Sequence, residues 1–222
     1  YRLFSGPLLW MPWAWVLWVV AGLFGVDSGV TLVIHDWGSA LGFRWAHINQ
    51  DKVKGIAFME SMLIPPDLDD SDRKPKGFFK LIRSDGGEKA ILENNAFVEN
   101  FLFAEIGSHL TEEDRAEYLR PFQDAGESRR PTLAWPREIP LHGKPEINDE
   151  MIRGYSGWLA ESEVPKLFIR AMPGLIGNVK TTLELVRTFP NLTTQEVPGG
   201  HYVQEVSGDA IGRALAAWVP TL

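Results

Sequence analysis

The strongest constraint on this chain is a junction between two kinds of segment. Val30 to His35 (VTLVIH) is a short, apolar, β-branched run that ends directly on Asp36-Trp37-Gly38-Ser39. A run of this length and composition reads as a buried parallel strand. Ala40 to Ile48 then places Leu41, Trp45 and Ile48 at helical spacing. The sequence therefore predicts a strand, a sharp turn and a helix in immediate succession. Such a turn sets the Asp36 carboxylate at the C-terminal end of a strand, close to a helix N-terminus.

The same alternation continues along the chain. Val53 to Met59 is a second strand ending at Glu60, and Val164 to Ala171 and Leu192 to Val197 are two more. Helices are expected at Asn148 to Ala160, Gly177 to Thr188 and Asp209 to Val219. Strands alternating with helices imply an α/β fold with a parallel sheet flanked by helices on both faces. Between Ser61 and Pro145 the alternation stops. Pro65-Pro66 and the acidic Asp67 to Asp72 read as a loop, while Phe78 to Arg83, Gly87 to Leu102 and Thr111 to Leu119 read as helices. Thr111 with Asp114 three residues later carries a capping signal. Pro131 to Pro140 reads as a rigid turn segment. The expected organisation is a core of residues 30–60 and 146–222, with residues 61–145 inserted as a helical cap.

Composition narrows the function. The net charge of −7 argues against a nucleic-acid partner, which needs a basic face. The chain has no cysteine, so disulfides, thiolate catalysis and Cys-ligated zinc are excluded. The five histidines show no metal-ligand spacing, so neither a metal nor another cofactor is expected.

The first 29 residues have a different character. Leu8 to Val26 carries no charge and is about long enough to cross a bilayer. Three readings are open: a segment foreign to the domain, such as a reading-frame disturbance leaves; a true membrane segment; or a buried core helix. Residues 8–26 are the sole basis for expecting a membrane contact, and the rest of the chain reads as cytoplasmic.

Three residues carry the expected chemistry. Asp36 occupies the centre of a strand–turn–helix junction of the nucleophile-elbow kind. A carboxylate is already ionised at neutral pH, so it needs no base to attack a saturated carbon. The resulting ester of the enzyme must then be hydrolysed, and that step needs a base. His201, in Gly199-Gly200-His201 after the last strand, is the candidate base, and Glu60 at the end of the second strand is the candidate to orient it. Each residue alone has an ordinary structural reading: an N-cap, a core or surface histidine, a loop acid. Together, each at a strand end where ligands collect in such sheets, they point to catalysis.

At this level of detail the chain resembles the haloalkane dehalogenases of the α/β-hydrolase fold, from about Asp27 to the C-terminus. His35-Asp36-Trp37-Gly38-Ser39-Ala40-Leu41-Gly42 resembles their nucleophile motif, and Met59-Glu60 resembles the strand end of the subgroup with a Glu acid. Gly200-His201-Tyr202-Val203-Gln204-Glu205 is similar to their G-L-H-Y-x-Q-E base motif. Two stretches, Leu92 to Glu99 and Arg129 to Pro140, look especially like the Renilla-type coelenterazine luciferases, which share the fold. The resemblance implies the C-terminal part of such a hydrolase, with Asp36 as nucleophile, Glu60 and His201 as its partners, and Trp37 donating its indole N–H to the departing halide. It also implies an apolar pocket that includes Phe97, Leu175 and Ile176. Its reactants are a small apolar halogenated substrate and water, and halide is released.

The chain also departs from the family pattern. The family's second halide donor is an Asn in an H-G-N-P motif on an earlier strand, and that motif does not occur here. The strands expected to flank Val30 to His35 are missing with it. The chain alone is therefore expected to be poorly soluble and weakly active or inactive. Gly200 stands where the family has Leu, and Val206-Ser207-Gly208 stands where it has an Asp-rich turn. A luciferase-like monooxygenase and an inactive membrane-anchored fragment are the competing expectations.

Overall fold

The computed structural model describes residues 28–66 and 76–222. The apolar run of residues 8–26 and the acidic loop of residues 67–72 lie outside the described residues. Four strands form one parallel sheet: β1 (Val30–His35), β2 (Val53–Ser61), β3 (Lys166–Pro173) and β4 (Leu192–Gly199), ordered β1-β2-β3-β4. The helix α1 (Asp36–Ile48) follows β1, α6 (Glu146–Glu161) precedes β3, α7 (Lys180–Val186) follows β3, and α8 (Val203–Trp218) follows β4. The four strands and three core helices thus lie where the sequence places them.

β2 is buried without a break from Gly55 to Ser61. Its side chains alternate between the two faces, as strand geometry requires. Ile56 and Phe58 pack on one face with Phe43 and Ala46 of α1 and Ile152, Tyr155 and Leu159 of α6. Ala57 and Met59 pack on the other with Leu167 and Ile169 of β3 and Val203, Ile211 and Trp218 of α8. A strand covered on both faces has no solvent side, which explains its continuous apolar sequence. Among the described residues β1 is an edge strand, and its Val33 is half exposed.

Between β2 and α6 the chain forms the insertion. It contains α2 (Lys76–Arg83), two wide helical turns (Lys89–Glu93 and Phe97–Leu102), α3 (Phe103–Ile106), α4 (Glu112–Leu119) and α5 (Arg130–Arg137). It has apolar clusters of its own, one of Ile82, Ile91, Leu92, Ala96 and Leu133 and one of Val98, Leu102 and Ile106. The buried Arg129 ties these pieces together. Its guanidinium donates to the carbonyls of Phe122 (2.7 Å), Gln123 (3.0 Å), Leu92 (3.1 Å) and Glu93 (2.7 Å). Thr111 and Asp114 form the reciprocal capping box at the start of α4, as their spacing predicts.

Three local expectations need correction. Residues 131–140, expected as a rigid turn, are largely helical: α5 covers Arg130–Arg137. Pro131 sits in the first turn, where its missing N–H has no partner to lose, and Pro136 sits so near the end that it interrupts little. The helix expected over Gly87 to Leu102 is broken at Asn95, whose φ of +51° no helix accommodates. Finally, α8 begins at Val203 rather than Asp209. Ser207 (φ −128°, ψ 28°) kinks it two residues before the expected start at Asp209, and the Ser207 hydroxyl donates to the Pro198 carbonyl at 2.5 Å.

Candidate active site

Asp36 and Glu60 occupy the C-terminal ends of adjacent parallel strands. His35, the last residue of β1, is extended (φ −144°), and Asp36, the first residue of α1, turns to φ +44°. Glu60 has φ +43°. Positive φ at a residue with a Cβ costs about 1–3 kcal/mol and persists only where the surroundings impose it. At Asp36 the surroundings are visible. The Ser39 hydroxyl donates to the Asp36 carbonyl at 2.5 Å and accepts from the Met62 N–H at 3.0 Å, binding the turn to the end of β2.

His201, between β4 and α8, reaches both carboxylates. Its Nε2 lies 3.4 Å from Asp36 Oδ1 and its Nδ1 3.3 Å from Glu60 Oε2. A carboxylate only accepts, so Nδ1 carries the proton that faces Glu60. Glu60 is fully buried. It accepts the backbone N–H groups of Leu175 (2.9 Å), Ile176 (2.9 Å) and Gly177 (3.1 Å) as well. A Cβ at Gly177 would stand 2.8 Å from Glu60 Oε1, so glycine there is what lets the loop close on the carboxylate.

The electrostatics follow from this arrangement. Burial opposes the charged imidazolium of His201, but the hydrogen bonds to Asp36 and Glu60 outweigh it and raise its pKa to about 10. Burial likewise pushes the Asp36 carboxyl up, yet the hydrogen bond and charge of His201 prevail and hold it below the usual carboxylate range. Both shifts favour the ion pair of an Asp36 carboxylate with a His201 imidazolium.

These groups open onto a cavity of about 390 Å³ between the sheet and the insertion. Asp36, Trp37, Met62, Ile176 and His201 line it from the core side, and Phe78, Phe97, Phe101, Trp135 and Ile139 from the insertion. The Asp36 side chain keeps 35% of its surface exposed there, enough to meet a ligand. Trp37 packs its ring against Trp135 at 5.3 Å, edge to face. Among the described residues of the lining, only Asp36, His201 and Tyr202 carry a titratable side chain. The wall is that of a site for a neutral, apolar molecule.

The structure therefore brings together Asp36, Glu60, His201 and Trp37, and it puts Phe97, Leu175 and Ile176 on the wall of the same cavity. Reading the sequence missed the backbone role of Leu175 and Ile176 at Glu60. It also missed His35, whose Nε2 lies 2.7 Å from the His201 carbonyl oxygen, and Glu105 of α3, whose carboxylate accepts the His201 backbone N–H. His35 adjoins Asp36, so its neighbourhood was a usable signal. Glu105 carries none, because nothing in the local sequence links it to a loop 96 residues later.

The comparisons with known proteins give the fold and the family. The α/β hydrolase fold family matches residues 14–207. A haloalkane dehalogenase of Mycolicibacterium smegmatis is 48% identical over 190 residues, which cover 86% of this chain and 61% of that protein. The coelenterazine h 2-monooxygenase of Renilla reniformis is 39% identical over 200 residues, 89% of this chain and 63% of that protein. The chain thus spans somewhat under two thirds of the length of these relatives. Among solved structures, a putative ancestral haloalkane dehalogenase superposes with a TM-score of 0.88 at 36% identity, covering 96% of this chain and 75% of that one. The chain belongs to the α/β-hydrolase fold family, and within it is a homologue of the haloalkane dehalogenases.

Proposed function

We propose that the chain hydrolyses carbon–halogen bonds of apolar haloalkanes through an ester on Asp36. The observation that carries this reading is a carboxylate, backed by a buried His–Glu pair, at the floor of an apolar cavity. The Asp36 oxygen attacks the halogen-bearing carbon, a C–O bond forms, and halide leaves with the bonding electrons. In this reading the Trp37 indole N–H donates to that anion, since Trp is a donor only. His201 then takes a proton from water, and the hydroxide adds to the Asp36 carbonyl carbon. The bond from that carbon to the alkoxy oxygen breaks and the alkoxide takes the proton of the added hydroxide to leave as the alcohol, so that Asp36 is again ionised and His201 again protonated. The net proton released is the one His201 gave to solvent once the ester had formed.

Resting His201 is protonated and cannot act as a base, and esterification of Asp36 removes the obstacle. The neutral ester withdraws one of the two negative charges that hold the imidazolium, while burial continues to oppose it. His201 becomes a base only after the first step has occurred. A cavity of this volume lies within the range of small-molecule sites and has room for a haloalkane.

The test is halide release from 1-bromohexane and 1,2-dibromoethane by the purified 222-residue chain, with Asp36→Ala as control. Catalytic release abolished in the control is expected. Equal release by both proteins overturns the proposal. The identity to the Renilla protein favours one second reading, a luciferase-like monooxygenase. Light from coelenterazine without halide release from either bromide favours that reading instead.

A further inference from the structure

The side-chain contacts of His201 are long, at 3.3 and 3.4 Å, and long contacts fix a position poorly. Its loop is also intrinsically loose. Gly199 (φ +144°) and Gly200 precede the base, and glycine has the most backbone freedom to lose. Yet the His201 peptide is gripped from both sides. His35 at the end of β1 faces its carbonyl oxygen at 2.7 Å. Because a carbonyl only accepts, His35 Nε2 must carry a proton. On the opposite side the Glu105 carboxylate takes the N–H of His201 and, at 3.2 Å, that of Tyr202.

Glu105 does not belong to the core. It lies on α3 of the insertion, and its oxygen comes so close to Gly200 that any Cβ there would collide with it. Nor is it an ordinary helix cap. A cap side chain receives the N–H groups of the second or third helical residue, whereas Glu105 receives those of the two residues before α8 starts at Val203. What it holds is the base-bearing loop. A second tie from the insertion runs parallel to it: the Tyr118 hydroxyl of α4 donates to Glu205 at 2.7 Å, in the first turn of α8.

The geometry points to Glu105 as a positioning residue for His201, by which the insertion over the cavity sets the place of the base, with His35 as the fixed jaw on the sheet side. Gly200 is part of the device, because its bare α-carbon admits the carboxylate. Where the resembling family motif carries a larger residue before the histidine, this chain has room for a direct grip. The inference rests on the hydrolytic role proposed for His201, but the grip itself can be measured without turnover.

The experiment uses the full chain and Glu105→Ala, Glu105→Gln and Gly200→Ala. Two readouts are taken: amide hydrogen exchange at His201 and Tyr202 by NMR, and accumulation of the alkyl–Asp36 ester by intact mass spectrometry after mixing with 1-bromohexane. In Glu105→Ala and Gly200→Ala, exchange at both amides should accelerate at least about tenfold. A misplacement of the order of 1 Å should slow ester hydrolysis by about 10²-fold, so the ester accumulates while its formation is unchanged. Glu105→Gln, which keeps an acceptor oxygen, should restore most of both. If Glu105→Ala fails to fold, Gly200→Ala reads the same grip with the carboxylate intact. Exchange and hydrolysis both within twofold of the parent chain in Gly200→Ala overturn the inference. If no ester forms even in the parent chain, the dehalogenase reading fails, and the exchange data alone decide the grip: acceleration supports it and parity overturns it.

Discussion

Replacing Glu60 by Gln separates the two chemical steps with almost no change in shape. Glu60 is fully buried and receives four donors: the N–H groups of Leu175, Ile176 and Gly177, and Nδ1–H of His201. An amide has one accepting oxygen and one donating nitrogen, so in either orientation an N–H group must face another N–H group. If the nitrogen turns to Gly177, one buried donor is orphaned, at a cost of about 1–3 kcal/mol. Turned the other way it orphans more, so that lower figure is the expected loss of stability. For a chain of this size such a loss is a fall of about 2–12 °C in Tm. The chemistry divides unevenly. Asp36 keeps its charge and its place, so ester formation continues. His201 loses the carboxylate that orients it and stabilises its charged form, and general-base catalysis of this kind contributes about 10²–10⁴-fold. A stopped-flow halide assay with 1-bromohexane should therefore show a stoichiometric burst followed by a slow phase, with the ester visible by intact mass. A variant that hydrolyses the ester within threefold of the parent rate, at unchanged burst amplitude, would refute the role given to Glu60.

Trp37→Phe keeps an aromatic ring against Trp135 but removes the indole N–H, and the burst of halide, not the later hydrolysis, should slow by about 10²-fold. Equal slowing of both phases would point to a packing defect. Arg129→Ala leaves four carbonyls of the insertion without their donor, and at about 1–3 kcal/mol for each group that water does not reach it should lower the urea midpoint markedly; a change below about 0.5 kcal/mol counts against the tie. The raised pKa of His201 makes stability depend on pH. Its contribution is complete below the unfolded value near 6.5 and is lost as pH climbs through about 10. Urea denaturation between those limits should show falling stability, and Glu60→Gln, which removes one partner charge, should bring the loss to lower pH.

Much of this protein is legible one segment at a time. Val30 to His35 followed by Asp36-Trp37-Gly38 specifies a strand that ends on a carboxylate, because β-branched residues, a turn and helical spacing are local properties. The four strands, the helices around them and the positions of Asp36, Glu60 and His201 at strand ends all follow from such runs. The segments that misread were those whose signal is ambiguous locally: Pro131 and Pro136 suggest a turn although a helix start and a helix end both tolerate proline, and the helix start expected at Asp209 lies just past a kink within α8.

What the tertiary structure alone decided is how these pieces meet. The sequence by itself determined that an acid, a base and a second acid each lie at the C-terminal edge of a parallel sheet. It did not determine that Leu175, Ile176 and Gly177 aim three N–H groups at Glu60, that the apolar residues of the insertion and of the sheet enclose one cavity, or that Glu105 closes on the loop of His201. Those contacts join residues about a hundred positions apart through backbone atoms that every residue possesses, so no side-chain pattern encodes them. They exist only because parallel strands bring distant loops to the same edge, where the turn at Asp36 delivers its carboxylate.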